Sequence, residues 1–116
     1  MATTYGVRID QEELNVKAIA ILRKRLGLAM GEIRRRAAEG EPMYECDATD
    51  NNGIALVIEI HRELEKVGVS DHILRSFREV GAGHLENVLR ERREDVIAEG
   101  EGYLFEDEPW LSLALE

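Results

Sequence analysis

The strongest constraint on the fold lies in residues 15–36, where two stretches of helical spacing meet at a glycine. After an asparagine, which favours the position before a helix, apolar residues recur every three or four positions. Gly27 predicts the end of this first helix, because glycine readily takes the left-handed conformation that closes a helix. A second apolar repeat runs from Met30 to Gly40. The stretch therefore predicts two helices joined by a tight corner, with Leu28 and Met30 filling the core at the turn.

The rest of the chain predicts short strands and two longer helices. Alternation of apolar and polar residues predicts strands at residues 7–9 and 72–77, and residues 43–49 form an extended segment between them. Apolar spacing predicts a third helix over residues 54–67. A last helix is expected after the glycine pair at positions 81 and 83.

The order of these elements indicates an α+β fold. It reads β-α-α-β-α-β, followed by an additional C-terminal helix and an acidic tail. Three strands need helices on at least one face to bury them, so we expect a two-layer α/β sandwich. We expect residues 1–80 to form it and residues 81–116 to pack on it or extend from it. The sequence DNNG at Asp50–Gly53 fits either a hairpin turn or the start of a helix.

The composition is typical of one small soluble domain. The chain has 116 residues, of which 44% are apolar, enough for a single hydrophobic core. Cys46 is its one cysteine, which excludes an internal disulfide and fits a reducing compartment. No apolar run approaches the ~20 residues of a membrane span, and no charged-then-apolar leader opens the sequence. These features predict a cytoplasmic protein.

The glycine corner resembles a known family. In NVKAIAILRKRLGLAMGEIRRR, the residues Gly27, Leu28 and Met30 match the Gly-Leu-Gly-Leu corner of the C-terminal domain of the bacterial ribosomal stalk protein, with an alanine at the second glycine. The end of that family's last helix is matched by LEKVGV at Leu64–Val69. The resemblance covers about residues 5–77 and implies the fold of that domain, which is similar to that of the N-degron adaptor of bacterial Clp proteases.

The resemblance also implies a binding surface. Stalk domains recruit translation factors through a basic and apolar patch on the two helices that meet at the corner. Asn15, Ala20 and Gly31 stand where that patch has lysines, which argues against recruitment of the same factors, since such binding is largely electrostatic. A related adaptor would instead dock a larger assembly through the matching positions, which are Val16, Ile19, Arg23 and Arg34.

The sequence offers no recognisable catalytic or metal-binding motif. His61, His72 and His84 are dispersed, and no Cys-x-x-Cys or His-x-x-x-His spacing accompanies them. His61 and Glu65 lie one helical turn apart and could share a metal, although a surface ion pair is the commoner use of that spacing. Cys46 has no sequence-adjacent histidine that could activate it as a nucleophile. We therefore predict a protein without enzymatic activity, metal or other cofactor.

Charge is distributed unevenly along the chain. Residues 1–93 hold 16 acidic and 15 basic residues, whereas residues 94–116 hold eight acidic residues and no lysine or arginine. This acidic end also carries half of the aromatic residues. It would repel nucleic acid and anionic membranes and attract a basic protein. Alternatively, its aromatic residues fold back onto the core.

The acidic end supports the main functional hypothesis, an inhibitor that covers the active site of a basic toxin or enzyme, as immunity proteins do. Such a protein needs a complementary surface and no catalytic residues. Carboxylates would speed association, and an aromatic side chain would anchor the complex. The expected partner-binding residues are Glu101, Tyr103, Phe105, Glu106, Asp107, Glu108 and Trp110. The adaptor described above is the alternative, and the oligomeric state is left open by the sequence.

Overall fold

The computed structural model describes residues 3–98 and Trp110. Within these residues the chain forms four α-helices and a four-stranded antiparallel sheet, which confirms the predicted α+β class. The elements in order are β1 (Thr4–Arg8), a 3-10 turn (Gln11–Glu13), α1 (Val16–Leu26), α2 (Met30–Glu39), β2 (Tyr44–Asp47), α3 (Asn51–Lys66), β3 (His72–Arg75), β4 (Arg78–Val80) and α4 (Ala82–Ala98). None of the described helices is both long and apolar enough to cross a membrane.

The sheet has the order β2-β1-β3-β4, and every neighbouring pair of strands is antiparallel. β1 is central, so Tyr5 lies opposite Cys46 of β2 on one side and Arg75 of β3 on the other. Tyr5 and Val7 share one face of the sheet, because alternate residues of a strand point the same way. Both side chains are buried and belong to the hydrophobic core.

A cluster of buried apolar residues joins the sheet to the helices. Each α-helix and the central strand contribute fully buried members, among them Val7, Leu22, Ile33, Ile54 and Leu85. α3 lies against β1 and β2, and both α1 and α4 pack on α3. α4 therefore shares its core with the elements that precede it.

The helix boundaries follow from side-chain caps and from glycine. α1 begins after Asn15, whose side-chain oxygen accepts a hydrogen bond of 2.9 Å from a first-turn amide, and it ends at Gly27, where φ is 67°. Both ends lie where the sequence predicts them. Asp50 caps α3 in the same way, accepting a hydrogen bond of 2.8 Å from the Gly53 amide. The DNNG segment is thus the start of a helix and not a hairpin turn.

The strand predicted over residues 72–77 is shorter in the structure. β3 ends at Arg75, and Ser76 and Phe77 form a two-residue turn with φ values of 48° and 69°. The turn leads into β4, a strand that the sequence pattern does not indicate. Hairpin turns with two positive φ values usually carry asparagine and glycine, so the dipeptide Ser-Phe gives no turn signal.

The corner between α1 and α2 is more open than predicted. Met30 is 41% exposed and does not fill the core, whereas Leu28 is half-buried against it. Met30 is the first residue of α2, so its side chain lies ahead of the turns that pack inward. The buried positions of α2 come later in the helix, at Ile33 and Ala37.

Candidate functional site

A groove on the protein surface lies between the 3-10 turn, the start of α1 and α2, and the corner residues 27–30 do not line it. Residues from the 3-10 turn, from the first half of α1 and from α2 enclose a cavity of about 360 Å³. We call it the Val16 groove; its lining residues are Gln11, Leu14, Asn15, Val16, Ile19 and Arg34. The structure thus brings together three of the four residues implied by the family resemblance, namely Val16, Ile19 and Arg34.

The Val16 groove combines exposed and buried apolar side chains. Val16 is 82% exposed, because it is the first residue of α1 and lies ahead of the turns that pack on the core. Ile19 lies one turn later on the same face of α1 and is buried, while Leu14 is half-buried against the core. Val16 therefore presents apolar surface that the fold itself does not use.

Arg34 is the cation of the groove. Of three consecutive arginines on α2, Arg35 forms ion pairs with three glutamates, and Arg36 pairs with Glu32 and donates to two backbone carbonyls. Hydrogen bonds from Arg35 and Arg36 lower the pKa of Glu32 to about 2. Within the described residues the Arg34 side chain forms neither an ion pair nor a hydrogen bond. Its guanidinium is available to an anionic group of a ligand.

Arg23, the fourth residue implied by the resemblance, does not line the groove. It is exposed on α1, four positions after Ile19 and seven after Val16, and therefore close to the same helical face. Lys17 is also exposed on α1. In the part of the chain that the structure describes, neither side chain forms an ion pair. Both residues add positive charge to α1, Arg23 close to the helical face of Val16 and Lys17 about 100° around the helix from it.

The acidic C-terminal segment falls almost entirely outside the described residues. The positions concerned are Glu101, Tyr103, Phe105, Glu106, Asp107 and Glu108. Trp110 is described and is only 3% exposed, as a member of the hydrophobic core. A ring buried this deeply presents little surface to a partner, and its role as the anchor of a complex stays a prediction. Its position agrees with the alternative that aromatic residues fold back.

His61 lies between two carboxylates near the end of α3. Its Nδ1 is 2.8 Å from Asp71 and its Nε2 is 3.0 Å from Glu65, so the pair predicted from helical spacing is present. The Asp71 side chain is only 2% exposed, and this burial raises its pKa. Among the described residues, no three histidine, cysteine or acidic side chains are arranged to hold a metal ion.

His72, the first residue of β3, likewise lies between two carboxylates. Its Nδ1 is 2.7 Å from Glu79 and its Nε2 is 2.8 Å from Asp10. These hydrogen bonds raise the pKa of His72, and the bond to the imidazole lowers the pKa of Asp10. His72 therefore links β3 to β4 and to the segment just before the 3-10 turn, which is a structural role.

Cys46 is a buried free thiol on β2. Burial raises its pKa to about 11, so little thiolate exists at neutral pH. The side chain packs tightly on α3, since a β-carbon added at Gly53 would lie 2.6 Å from the Cys46 β-carbon. These contacts indicate a packing role for Cys46.

No family model, curated protein or solved structure matches this chain. The similarity to the stalk domain therefore rests on the quoted sequence blocks.

Two residues of the groove could not be found from the sequence pattern. Gln11 and Leu14 lie in and just after the 3-10 turn, which has neither the period of a helix nor the alternation of a strand. The only available signal was the neighbouring cap at Asn15, which places this segment beside the start of α1.

Proposed function

We propose that this protein is a non-catalytic binding module that docks a partner protein in the Val16 groove. The observation that carries the proposal is the combination of exposed apolar surface at Val16 with the cation of Arg34, which forms no ion pair within the described residues. A complementary ligand is a peptide segment with a bulky apolar side chain next to a carboxylate. The apolar group would contact the wall of the groove, and the carboxylate would accept hydrogen bonds from the guanidinium.

Positive charge beyond the groove favours the same class of ligand. Lys17 and Arg23 are exposed on α1 and unpaired within the described residues. Together with Arg34 they would raise the association rate of an acidic segment, whereas the apolar contact would slow its dissociation. We propose an acidic protein segment rather than a nucleic acid or an anionic membrane. The described residues that line the groove include no aromatic side chain for stacking on bases, and the chain as a whole is acidic.

The proposal agrees with the family resemblance. We propose that the helices and the sheet form the two-layer sandwich of the stalk C-terminal domain, with α4 as an addition to it. In that family the two helices that meet at the corner recruit a partner to a larger assembly. The role proposed here is accordingly that of a cytoplasmic adaptor, with a different partner because the lysines of the family's patch are replaced.

Two substitutions and a matched control test the groove. Val16→Asp removes the exposed apolar surface, and an acidic residue in the first turn favours the helix, so folding is retained. Arg34→Glu reverses the cation of the groove. Arg90→Glu makes the same change of charge on an exposed position of α4 and serves as the control. Partners recovered from the native host with the full-length chain would be titrated against each variant by calorimetry.

We expect each groove variant to bind such a partner about tenfold more weakly than the wild type, as loss of a central interface contact does. The control should change affinity by less than about twofold, as charges at the rim of an interface do. Circular dichroism would verify that each variant is folded. Wild-type affinity of both groove variants would exclude the Val16 groove as the docking site.

A second candidate function is inhibition of a basic toxin or enzyme, which the acidic C-terminal segment favours. The eight acidic residues after Arg93, with no lysine or arginine among them, would steer a basic active site toward this segment. The segment would then block the active site by occlusion, without any catalytic step. This function uses a part of the chain different from the Val16 groove, so separate variants distinguish the two.

The inhibitor hypothesis is tested without truncating the chain, because removal of Trp110 would disturb the core. Neutralising substitutions at Glu101, Glu106, Asp107 and Glu108 to the corresponding amides keep the tryptophan in place. We expect the combined variant to lose inhibition of a basic toxin encoded beside the gene, measured as growth rescue in a host that expresses the toxin. Full rescue by the variant would rule out an electrostatic role of this segment, whereas loss of rescue by Val16→Asp alone would favour the groove.

A further inference from the structure

The hairpin between β3 and β4 has an exposed aromatic residue at its tip. Arg75 and Arg78 face each other as the last pair of the two strands, and Ser76 and Phe77 form the turn between them. Phe77 is 73% exposed, which makes it one of the few large apolar side chains at the surface of the described residues. Its ring contributes little to the buried core of this protein.

The backbone at the tip is unfavourable for the residues that form it. Both turn residues have positive φ, 48° at Ser76 and 69° at Phe77. Asparagine and glycine take this conformation readily, whereas for a bulky side chain it is a strained exception. Because the exposed ring gains little burial in return, folding stability does not explain why phenylalanine stands at this position. Strained residues of this kind are often retained at binding sites.

The flanking arginines add charge to the tip. Arg75 and Arg78 are exposed, and in the described part of the chain neither forms an ion pair. The tip therefore presents an aromatic ring between two available guanidinium groups. This combination fits an apolar pocket that is lined at its rim by carboxylates.

The tip and the Val16 groove lie at opposite ends of the sheet. The amide of Ser76 donates a hydrogen bond of 2.8 Å to the carbonyl of Thr4, the first residue of β1. β1 then runs away from the tip toward Arg8 and the 3-10 turn that borders the groove. One partner at the groove would therefore leave the tip free for another.

We propose that the β3–β4 hairpin tip is a second docking site, which inserts Phe77 into an apolar pocket with an acidic rim on a partner protein. This site is independent of the function proposed for the groove. An anionic membrane is the less suitable occupant, because one ring and two arginines make a small anchor and the chain's net charge of −9 opposes its approach to such a surface. With both sites occupied, the protein would bridge two partners.

The first test uses the strain at the tip. Phe77→Gly supplies the residue that the turn conformation favours, so we expect the melting temperature of the full chain to rise by about 2–5 °C. Phe77→Leu, a bulky residue under the same strain, should leave the melting temperature near that of the wild type. A melting temperature of Phe77→Gly clearly below the wild-type value would overturn the proposal, since the ring would then serve the stability of the fold.

The second test identifies what contacts the tip. The photoreactive residue p-benzoylphenylalanine replaces Phe77 in the full-length chain, expressed in its native host, and a control chain carries it at Glu91, an exposed position on α4. We expect irradiation to join position 77, but not position 91, to one protein through a peptide rich in aspartate and glutamate. Adding Arg75→Glu and Arg78→Glu should reduce this adduct at least tenfold.

Each other outcome counts against the proposal. Absence of a discrete adduct at position 77, an adduct that persists after both arginine reversals, or a mapped contact peptide without acidic residues would overturn it. An adduct with lipid alone would assign the tip to a membrane surface instead. The circular dichroism spectrum of the double arginine variant serves as the folding control.

Discussion

Arg34 and Arg35 are adjacent on α2, yet of these two only Arg35 forms ion pairs among the residues that the structure describes. Successive residues of a helix point about 100° apart, so Arg35 faces the glutamates three positions before it and four after it, while Arg34 reaches the Val16 groove. A run of three arginines therefore does not form one basic surface. At the scale of a residue, the direction in which a side chain points from the helix decides which arginine faces the groove.

Gly53 shows why a glycine near the start of α3 is required. A β-carbon there would lie 2.6 Å from the β-carbon of Cys46, which cannot move away because it belongs to β2. We expect Gly53→Ala to destabilise the protein by about 1–3 kcal/mol, the range for overpacked cores. Gly31→Ala is the matched control, since nothing lies within 4 Å of the added atom in α2.

Urea unfolding followed by circular dichroism would measure both variants. The control should be more stable than the wild type by about 0.5–1 kcal/mol, because alanine favours a helix over glycine. A Gly53→Ala variant as stable as the control would contradict the close packing of α3 on β2.

His72 predicts a pH dependence of stability. Its hydrogen bonds to Glu79 and Asp10 raise its pKa above the ordinary 6.5. The resulting stabilisation is complete below the pKa of the unfolded chain and is lost as the pH rises through the higher pKa of the folded state. His72→Gln should therefore lower the free energy of unfolding by about 0.5–1 kcal/mol at pH 5.5, the scale of a partly exposed ion pair, and by less at pH 9.

The measurement is a series of urea titrations of wild type and variant between these two pH values. Glu79→Gln removes one of the two carboxylate partners, so it should lose part of the same pH dependence. A difference between wild type and His72→Gln that stays constant with pH would contradict the ion-pair interpretation.

At the scale of elements, the start of α3 depends on one carboxylate. Asp50 accepts a hydrogen bond from the amide of Gly53. Amides in the first turn of a helix have no acceptor within the helix, so a side chain has to supply one. Asp50→Ala should cost about 1 kcal/mol of stability, whereas Asp50→Ser, which can also cap, should cost less. Equal losses for the two variants in urea titrations would show that capping does not define this end of the helix.

The helices could be predicted from the sequence, but the last strand could not. Helical periodicity, the cap at Asn15 and the left-handed Gly27 are local signals, and each operates within a few residues. β4 depends on a turn formed by Ser76 and Phe77, residues that have no preference for positive φ. β4 pairs with β3, and the amide of Ser76 donates a hydrogen bond to the carbonyl of Thr4 in β1. The contact with β1 joins residues far apart in the sequence, so it leaves no local pattern.

The candidate site was predictable to a similar extent. Val16, Ile19 and Arg34 follow from the resemblance to the stalk domain, and the structure places all three in the wall of one groove, where the start of α1 lies beside α2. The contributions of Gln11 and Leu14 depend on how the 3-10 turn packs beside α1, which no periodicity reveals. Which of the three arginines forms ion pairs likewise depends on side chains that come close to it only in the folded helix.

At the scale of the whole molecule, Trp110 connects the acidic C-terminal end to the core. It belongs to the same buried cluster as Leu85 and Leu89 of α4, although eleven undescribed residues separate it from the described part of α4. A truncation that removes the acidic residues would therefore also remove a buried tryptophan. Loss of binding by such a truncated chain could reflect loss of folding, so the two effects have to be separated by substitution.

The last prediction concerns this tryptophan. Trp110→Ala should lower the free energy of unfolding by about 3–5 kcal/mol, the cost of removing a large buried aromatic side chain. Trp110→Phe keeps part of the apolar contact and should cost distinctly less. Circular dichroism in urea gives both values, since the substitutions remove the tryptophan fluorescence. If Trp110→Ala were as stable as the wild type, the ring would be free for a partner and the inhibitor function of the acidic segment would regain its anchor.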